Sequence, residues 1–115
     1  ALHDLKDKNK VMGRFGVAIL DQDKVVNFQE KPEFPESTLA STACYLFHRN
    51  DLKYIQVLIE NNITDPLGLI LEKIAEESEL NGLVFTEPWF DIGSIETLEE
   101  ARLIYGRLIY GGSQN

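Results

Sequence analysis

The sequence predicts an α/β layer arrangement with a partly antiparallel sheet, on three observations. Two short runs rich in Val, Ile and Phe, residues 15–20 and 25–29, flank a polar turn. Further along, apolar residues recur at helical spacing in three segments. No linker, internal repeat or low-complexity stretch divides the elements, so they belong to one layered unit.

The two runs, separated by Asp21, Gln22, Asp23 and Lys24, read as a β-hairpin. Both parities of the first run are mainly apolar, which predicts a strand covered on both faces. Pro32 and Pro35 then discourage regular pairing over residues 31–38. Residues 43–47 are apolar throughout and read as a third strand, with Cys44 as a small core residue. From Asn50 an amphipathic helix turns Leu52, Ile55, Leu58 and Ile59 inward. A second helix is capped by Asp65, has Pro66 as its first helical residue, and buries Leu67, Ile70, Leu71 and Ile74. Residues 83–85 form a strand leading into a loop. A last helix begins at the cap Ser94, points Leu98, Ala101, Tyr105 and Leu108 inward, and ends at Gly111. Residues 1–110 are thus one unit and 111–115 a flexible tail.

The chain has 115 residues, 43% of them apolar, enough for a single modest core. Its formal net charge is −8 with no basic run, which argues against nucleic acid and against an anionic membrane surface. No apolar stretch approaches the ~18 residues that span a bilayer, and the polar first ten residues do not read as a signal peptide. With a single cysteine as well, the expectation is a cytoplasmic protein.

Three loop segments place polar groups beside apolar strands: Glu30-Lys31-Pro32, Ser41-Thr42, and Trp89-Phe90-Asp91-Ile92-Gly93. Loops at strand ends are where a rigid sheet presents ligand-binding groups. A carboxylate such as Glu30 accepts hydrogen bonds from sugar hydroxyls, and an ammonium such as Lys31 suits phosphate. The competing reading is an exposed ion pair. Asp91 is either a turn-forming residue that bonds nearby amides or a hard oxygen ligand for Mg²⁺. His3 and His48 have no metal-ligand spacing with each other or with Cys44.

In order, R-F-G-V-A-I-L-D, V-V-N-F-Q-E-K-P, S-T-L-A-S-T-A-C-Y-L-F and W-F-D-I-G-S-I-E-T-L-E-E-A resemble the second half of the catalytic domain of sugar-1-phosphate nucleotidyltransferases. The L-A-S-x-x-x-Y piece looks most like the glucose-1-phosphate adenylyltransferase branch, whereas W-F-D-I-G is shared with guanylyl-, thymidylyl- and uridylyltransferases. The resemblance implies a partial, Rossmann-like nucleotidyltransferase fold. It also implies a reaction of a sugar 1-phosphate with a nucleoside triphosphate, giving a nucleotide sugar and pyrophosphate with Mg²⁺ as cofactor. By position, Glu30 would hold sugar hydroxyls and Lys31 the sugar phosphate. Gly16 would bring backbone close to the sugar, Ser41 and Tyr45 would line its pocket, and Asp91 would bind the metal. Lys31 and Asp91 are the catalytic candidates.

The sequence departs from the family pattern in three places. Many relatives have Asn at the Ser41 position, and Gly is usual where this chain has Ala43. The family's G-x-G-x-R triphosphate loop is absent from these 115 residues. The expectation is therefore a fragment or truncated descendant of the catalytic domain, inactive alone. The alternative is a non-enzymatic binding or assembly module built on the same fold. A half-domain would also expose apolar surface, which predicts self-association, most simply as a two-fold dimer.

Overall fold

The computed structural model describes residues 1–63 and 67–111. Strands β1 (Leu2–Asp4), β2 (Val17–Asp21), β3 (Lys24–Gln29), β4 (Leu39–Ser41) and β5 (Val84–Phe85) form one sheet in the order β3-β2-β4-β1-β5. The helices are α1 (Lys8–Val11), α2 (Leu52–Glu60), α3 (Leu67–Glu77) and α4 (Ile95–Tyr110), with a 3₁₀ turn at Arg49–Asp51 before α2. β2 pairs antiparallel with both β3 and β4, β4 pairs antiparallel with β1, and β1 runs parallel to β5. The sheet is therefore mixed, as the hairpin required.

The hairpin turn is tighter than expected, with only Gln22 and Asp23 between the strands and Gln22 in the left-handed region at φ 54°. The register slips between Ile19 and Leu20, so that Leu20 faces Val25 while the pairing of Ala18 with Phe28 is kept. This bulge brings Val25 and Phe28, three residues apart, to one face of the sheet, where both are buried in the same cluster.

β2 is covered on both faces, as its pattern predicted. Val17 and Ala18 are adjacent, point to opposite faces, and are each 0% exposed. Ala18 packs with Leu2, Val25, Phe28 and Leu71 of α3. Val17 packs with Val11 of α1 and Ala40, closed over by Leu5, Phe15 and Trp89. Beyond α3, Ile70 and Ile74 meet Tyr54 and Leu58 of α2, forming a second helical layer on that side.

Several expectations need correction. The strand that follows the hairpin is β4, Leu39–Ser41, and residues 43–47 are not a strand. Ala43 sits at φ 59°, a left-handed conformation that cannot continue a ladder, and Cys44 after it is exposed. β1 and α1 lie in a start that reads as polar, and three residues are too few for a periodic signal. In α2 the buried positions are Tyr54 and Leu58, whereas Leu52 is 50% and Ile59 70% exposed, because α3 meets only a narrow i, i+4 stripe. Leu67 at the start of α3 is partly exposed, while Ile70, Leu71 and Ile74 are buried as expected.

α4 has its predicted cap. Ser94 Oγ accepts from the Thr97 amide at 3.2 Å, Thr97 Oγ1 accepts from the Ser94 amide at 3.1 Å, and the Gly111 amide closes the other end on Arg107. Of its expected inward positions only Ala101 is buried and Leu98 is intermediate; Tyr105 and Leu108 are exposed. Tyr105 is nonetheless engaged, its hydroxyl donating to Pro88 O at 3.0 Å and its ring meeting Phe90 edge-on. The cap Asp65, Pro66 and residues 112–115 lie outside the described residues. Among the described residues no helix is long and apolar enough to cross a membrane.

Candidate functional site

All six candidate site residues line one cleft. It has a volume of about 220 Å³, and Gly16, Glu30, Lys31, Ser41, Tyr45 and Asp91 reach it from separate segments of the chain. Gly16 enters β2, Glu30 and Lys31 leave β3, Ser41 ends β4, and Asp91 lies in the loop between β5 and α4. The sheet order explains how the segments of β2, β3 and β4 converge, because these strands are neighbours. The Ser41 amide donates to Gly16 O at 2.8 Å, locking two of the segments together.

The Glu30-Lys31-Pro32 loop is braced from both sides. The Gly13 amide donates to Pro32 O at 2.9 Å, fastening the loop to the turn after α1. Gln29 exchanges two hydrogen bonds with Glu36, its Nε2 donating to Glu36 Oε1 at 2.9 Å and its Oε1 accepting from the Glu36 amide at 3.1 Å. Lys31 itself takes φ 43°, so two non-glycine residues of the lining, Lys31 and Ala43, are held left-handed. Such conformations persist only where surrounding structure over-determines them.

Lys31 is exposed and makes no ion pair among the described residues. Ser41 Oγ and Tyr45 Oη share a hydrogen bond of 2.8 Å. Burial raises the Tyr45 phenol above its ordinary value, the Ser41 bond opposes that, and the negative charge of Glu30 adds to it. Tyr45 is thus a neutral hydroxyl at ordinary pH, able to donate as well as accept.

A Cβ at Gly16 would run into the Phe28 ring and stand 3.0 Å from Glu30 Oε2. The close approach at Gly16 is therefore required by the protein's own packing. The Asp91 carboxylate makes no hydrogen bond among the described residues; the Gly93 amide at 3.2 Å goes to the backbone carbonyl of Asp91. The amide-bonding role of its side chain is not observed there. Among the described residues no group of three or more His, Cys, Asp or Glu side chains could hold a metal ion. Asp91 fits one corner of a Mg²⁺ shell completed by phosphate oxygens and water.

Sequence reasoning missed part of the lining: Arg14, Phe15, Leu67 and Gly68. Arg14 lays its guanidinium over the Phe15 ring, 5.2 Å from its centroid, and Phe15 meets Trp89 edge-on at 5.5 Å. The aromatic wall continues to His3, whose ring lies between those of Trp89 and Phe85. Gly68 carried a legible signal, since a glycine inside a helical pattern costs about 1 kcal/mol relative to Ala and needs a packing reason.

A mixed sheet and the loops beside it bring E-K-P, a serine–tyrosine pair and an aspartate to one cleft. The nucleotidyl transferase family model matches residues 5–107, and the chain belongs to that family, among the sugar-1-phosphate nucleotidyltransferases. Glucose-1-phosphate adenylyltransferase of Thermosipho melanesiensis is 36% identical over 96 residues, covering 78% of this chain and 23% of that protein. The enzymes of that name from Fervidobacterium nodosum (36% over 96 residues, 78% and 23%) and Bacillus cereus (34% over 98 residues, 78% and 25%) are similar in the same way. The chain spans about a quarter of the length of these curated relatives. No solved structure matches it.

Proposed function

We propose that this chain supplies the sugar-1-phosphate side of a site that makes a nucleotide sugar and pyrophosphate from a sugar 1-phosphate and a nucleoside triphosphate. The observation that carries the reading is the convergence of Gly16, Glu30, Lys31, Ser41, Tyr45 and Asp91 on one cleft. Glu30 accepts hydrogen bonds from sugar hydroxyls, and the Ser41–Tyr45 pair offers hydroxyls that both donate and accept. Lys31 neutralises the sugar phosphate and orients the oxygen that attacks the α-phosphorus, while pyrophosphate leaves on the opposite side. Asp91 would hold Mg²⁺, which when bound would offset charge on the phosphates.

The triphosphate loop is not within these 115 residues, so the chain alone is inactive in this reading. The second reading is a binding or assembly module that keeps the pocket without the transfer. Pyrophosphate release by the chain alone, above an inert-protein blank, contradicts the inactivity. We assign the apolar side chains exposed on α4, among them Leu103, Leu108 and Ile109, to self-association, with a two-fold dimer as the simplest form.

The test is calorimetry with glucose 1-phosphate and with glucose. Charge-assisted hydrogen bonds contribute about 1.5–3 kcal/mol, so Lys31→Ala should weaken glucose 1-phosphate binding by about tenfold or more and leave glucose binding as it was. Equal affinity of the variant and the unsubstituted chain for glucose 1-phosphate contradicts the role of Lys31.

A further inference from the structure

Gly68 stands in the first turn of α3, is buried, and lines the cleft. Alanine there would favour the helix over glycine, so the glycine has a local cause. The cause is Glu30. A Cβ built at Gly68 would run into Glu30 Oε2 and lie 2.7 Å from both Glu30 Cδ and Glu30 Cγ, its three nearest atoms. From the other side, a Cβ at Gly16 would stand 3.0 Å from the same Oε2. The carboxylate therefore occupies a slot between two backbones that lack side chains. Gly16 has a second cause in the Phe28 ring, whereas the nearest atoms at Gly68 all belong to Glu30.

We propose that Gly68 is a positioning residue that fixes the Glu30 carboxylate in the cleft, and so sets which arrangement of sugar hydroxyls is accepted. The inference rests on the reading of Glu30 as the acceptor of those hydroxyls. The three atoms nearest a methyl group at position 68 all belong to one flexible side chain, so the fold absorbs it by moving Glu30. Shortening Glu30 to Asp draws the carboxyl group back from the added methyl, which makes the pair of substitutions compensatory.

The experiment titrates glucose 1-phosphate into the full chain and into Gly68→Ala, Glu30→Gln, Glu30→Asp and the Gly68→Ala/Glu30→Asp double variant. Each is also melted, and the Glu30 side-chain carboxyl carbon is followed by NMR without ligand. Gly68→Ala is expected to melt at or above the unsubstituted chain, to move the Glu30 resonance, and to weaken binding about tenfold, as expected for one charge-assisted hydrogen bond. Gly68→Ala is expected to cost less affinity in the Glu30→Asp background than alone. An unmoved resonance and full affinity in Gly68→Ala, with Glu30→Gln impaired, overturn the role of Gly68 and leave that of Glu30 standing. Unchanged affinity in Glu30→Gln, or no binding by the unsubstituted chain, removes the reading of Glu30 and the inference with it. A folding defect in Gly68→Ala that Glu30→Asp repairs supports the contact; one that it does not repair overturns the inference.

Discussion

The hydroxyls of Ser41 and Tyr45 lie 2.8 Å apart and join the end of β4 to the segment that follows it. The bond spans the left-handed residue Ala43, so it holds the chain where strand geometry has already ended. It also fixes the direction in which two hydroxyl groups face the cleft.

Ser41→Ala should therefore move the Tyr45 phenol further above its ordinary value, because the Ser41 bond is the influence that lowers it. Stability should fall by about 1 kcal/mol, the usual net contribution of one hydrogen bond. Tyrosine ring-carbon NMR against pH and a denaturant titration check both; a Tyr45 titration that moves down contradicts the assignment.

Ala43→Gly should stabilise the protein by about 1 kcal/mol. A left-handed residue with a Cβ costs roughly 1–2 kcal/mol, and the extra freedom of glycine in the unfolded chain offsets part of the gain. The φ of 59° at Ala43 makes this a position where glycine is conformationally preferred. A urea midpoint unchanged or lowered in Ala43→Gly contradicts the strain.

Asp4 should contribute to stability in a narrow acid window. The Lys6 ammonium at 2.8 Å, the Thr38 hydroxyl at 2.6 Å and the Lys6 amide at 2.9 Å hold its carboxyl down from 3.8 to about 2. Because the folded value is the lower one, the stabilisation is complete above pH 3.8 and is lost as pH falls towards about 2. Asp4→Asn should be less stable near neutrality and should lose less on acidification across that window. Parallel acid profiles for the two proteins contradict this account of Asp4.

The hairpin, the buried stripe of α3 and the Ser94 cap were legible because each is a local pattern of several residues. The two short central strands were not. Leu2–Asp4 and Leu39–Ser41 exist because each pairs with the other, a non-local cause that neither segment shows alone. The false strand at 43–47 came from apolar composition, which did not reveal the backbone turn at Ala43. At the site, the motif residues could be named in order, whereas Arg14 and Phe15 join the cleft only through the fold. Gly68 could be suspected from its place in a helix, but its partner Glu30 is far away in sequence.

The most direct test follows the backbone amides of the whole chain by NMR while glucose 1-phosphate, glucose and inorganic phosphate are added separately. If the cleft binds a sugar 1-phosphate, glucose 1-phosphate should shift Gly16, Glu30, Lys31, Ser41 and Tyr45 together, and at lower concentration than either of the other two. Shifts confined to residues outside the cleft, or the same response to inorganic phosphate alone, would contradict the account.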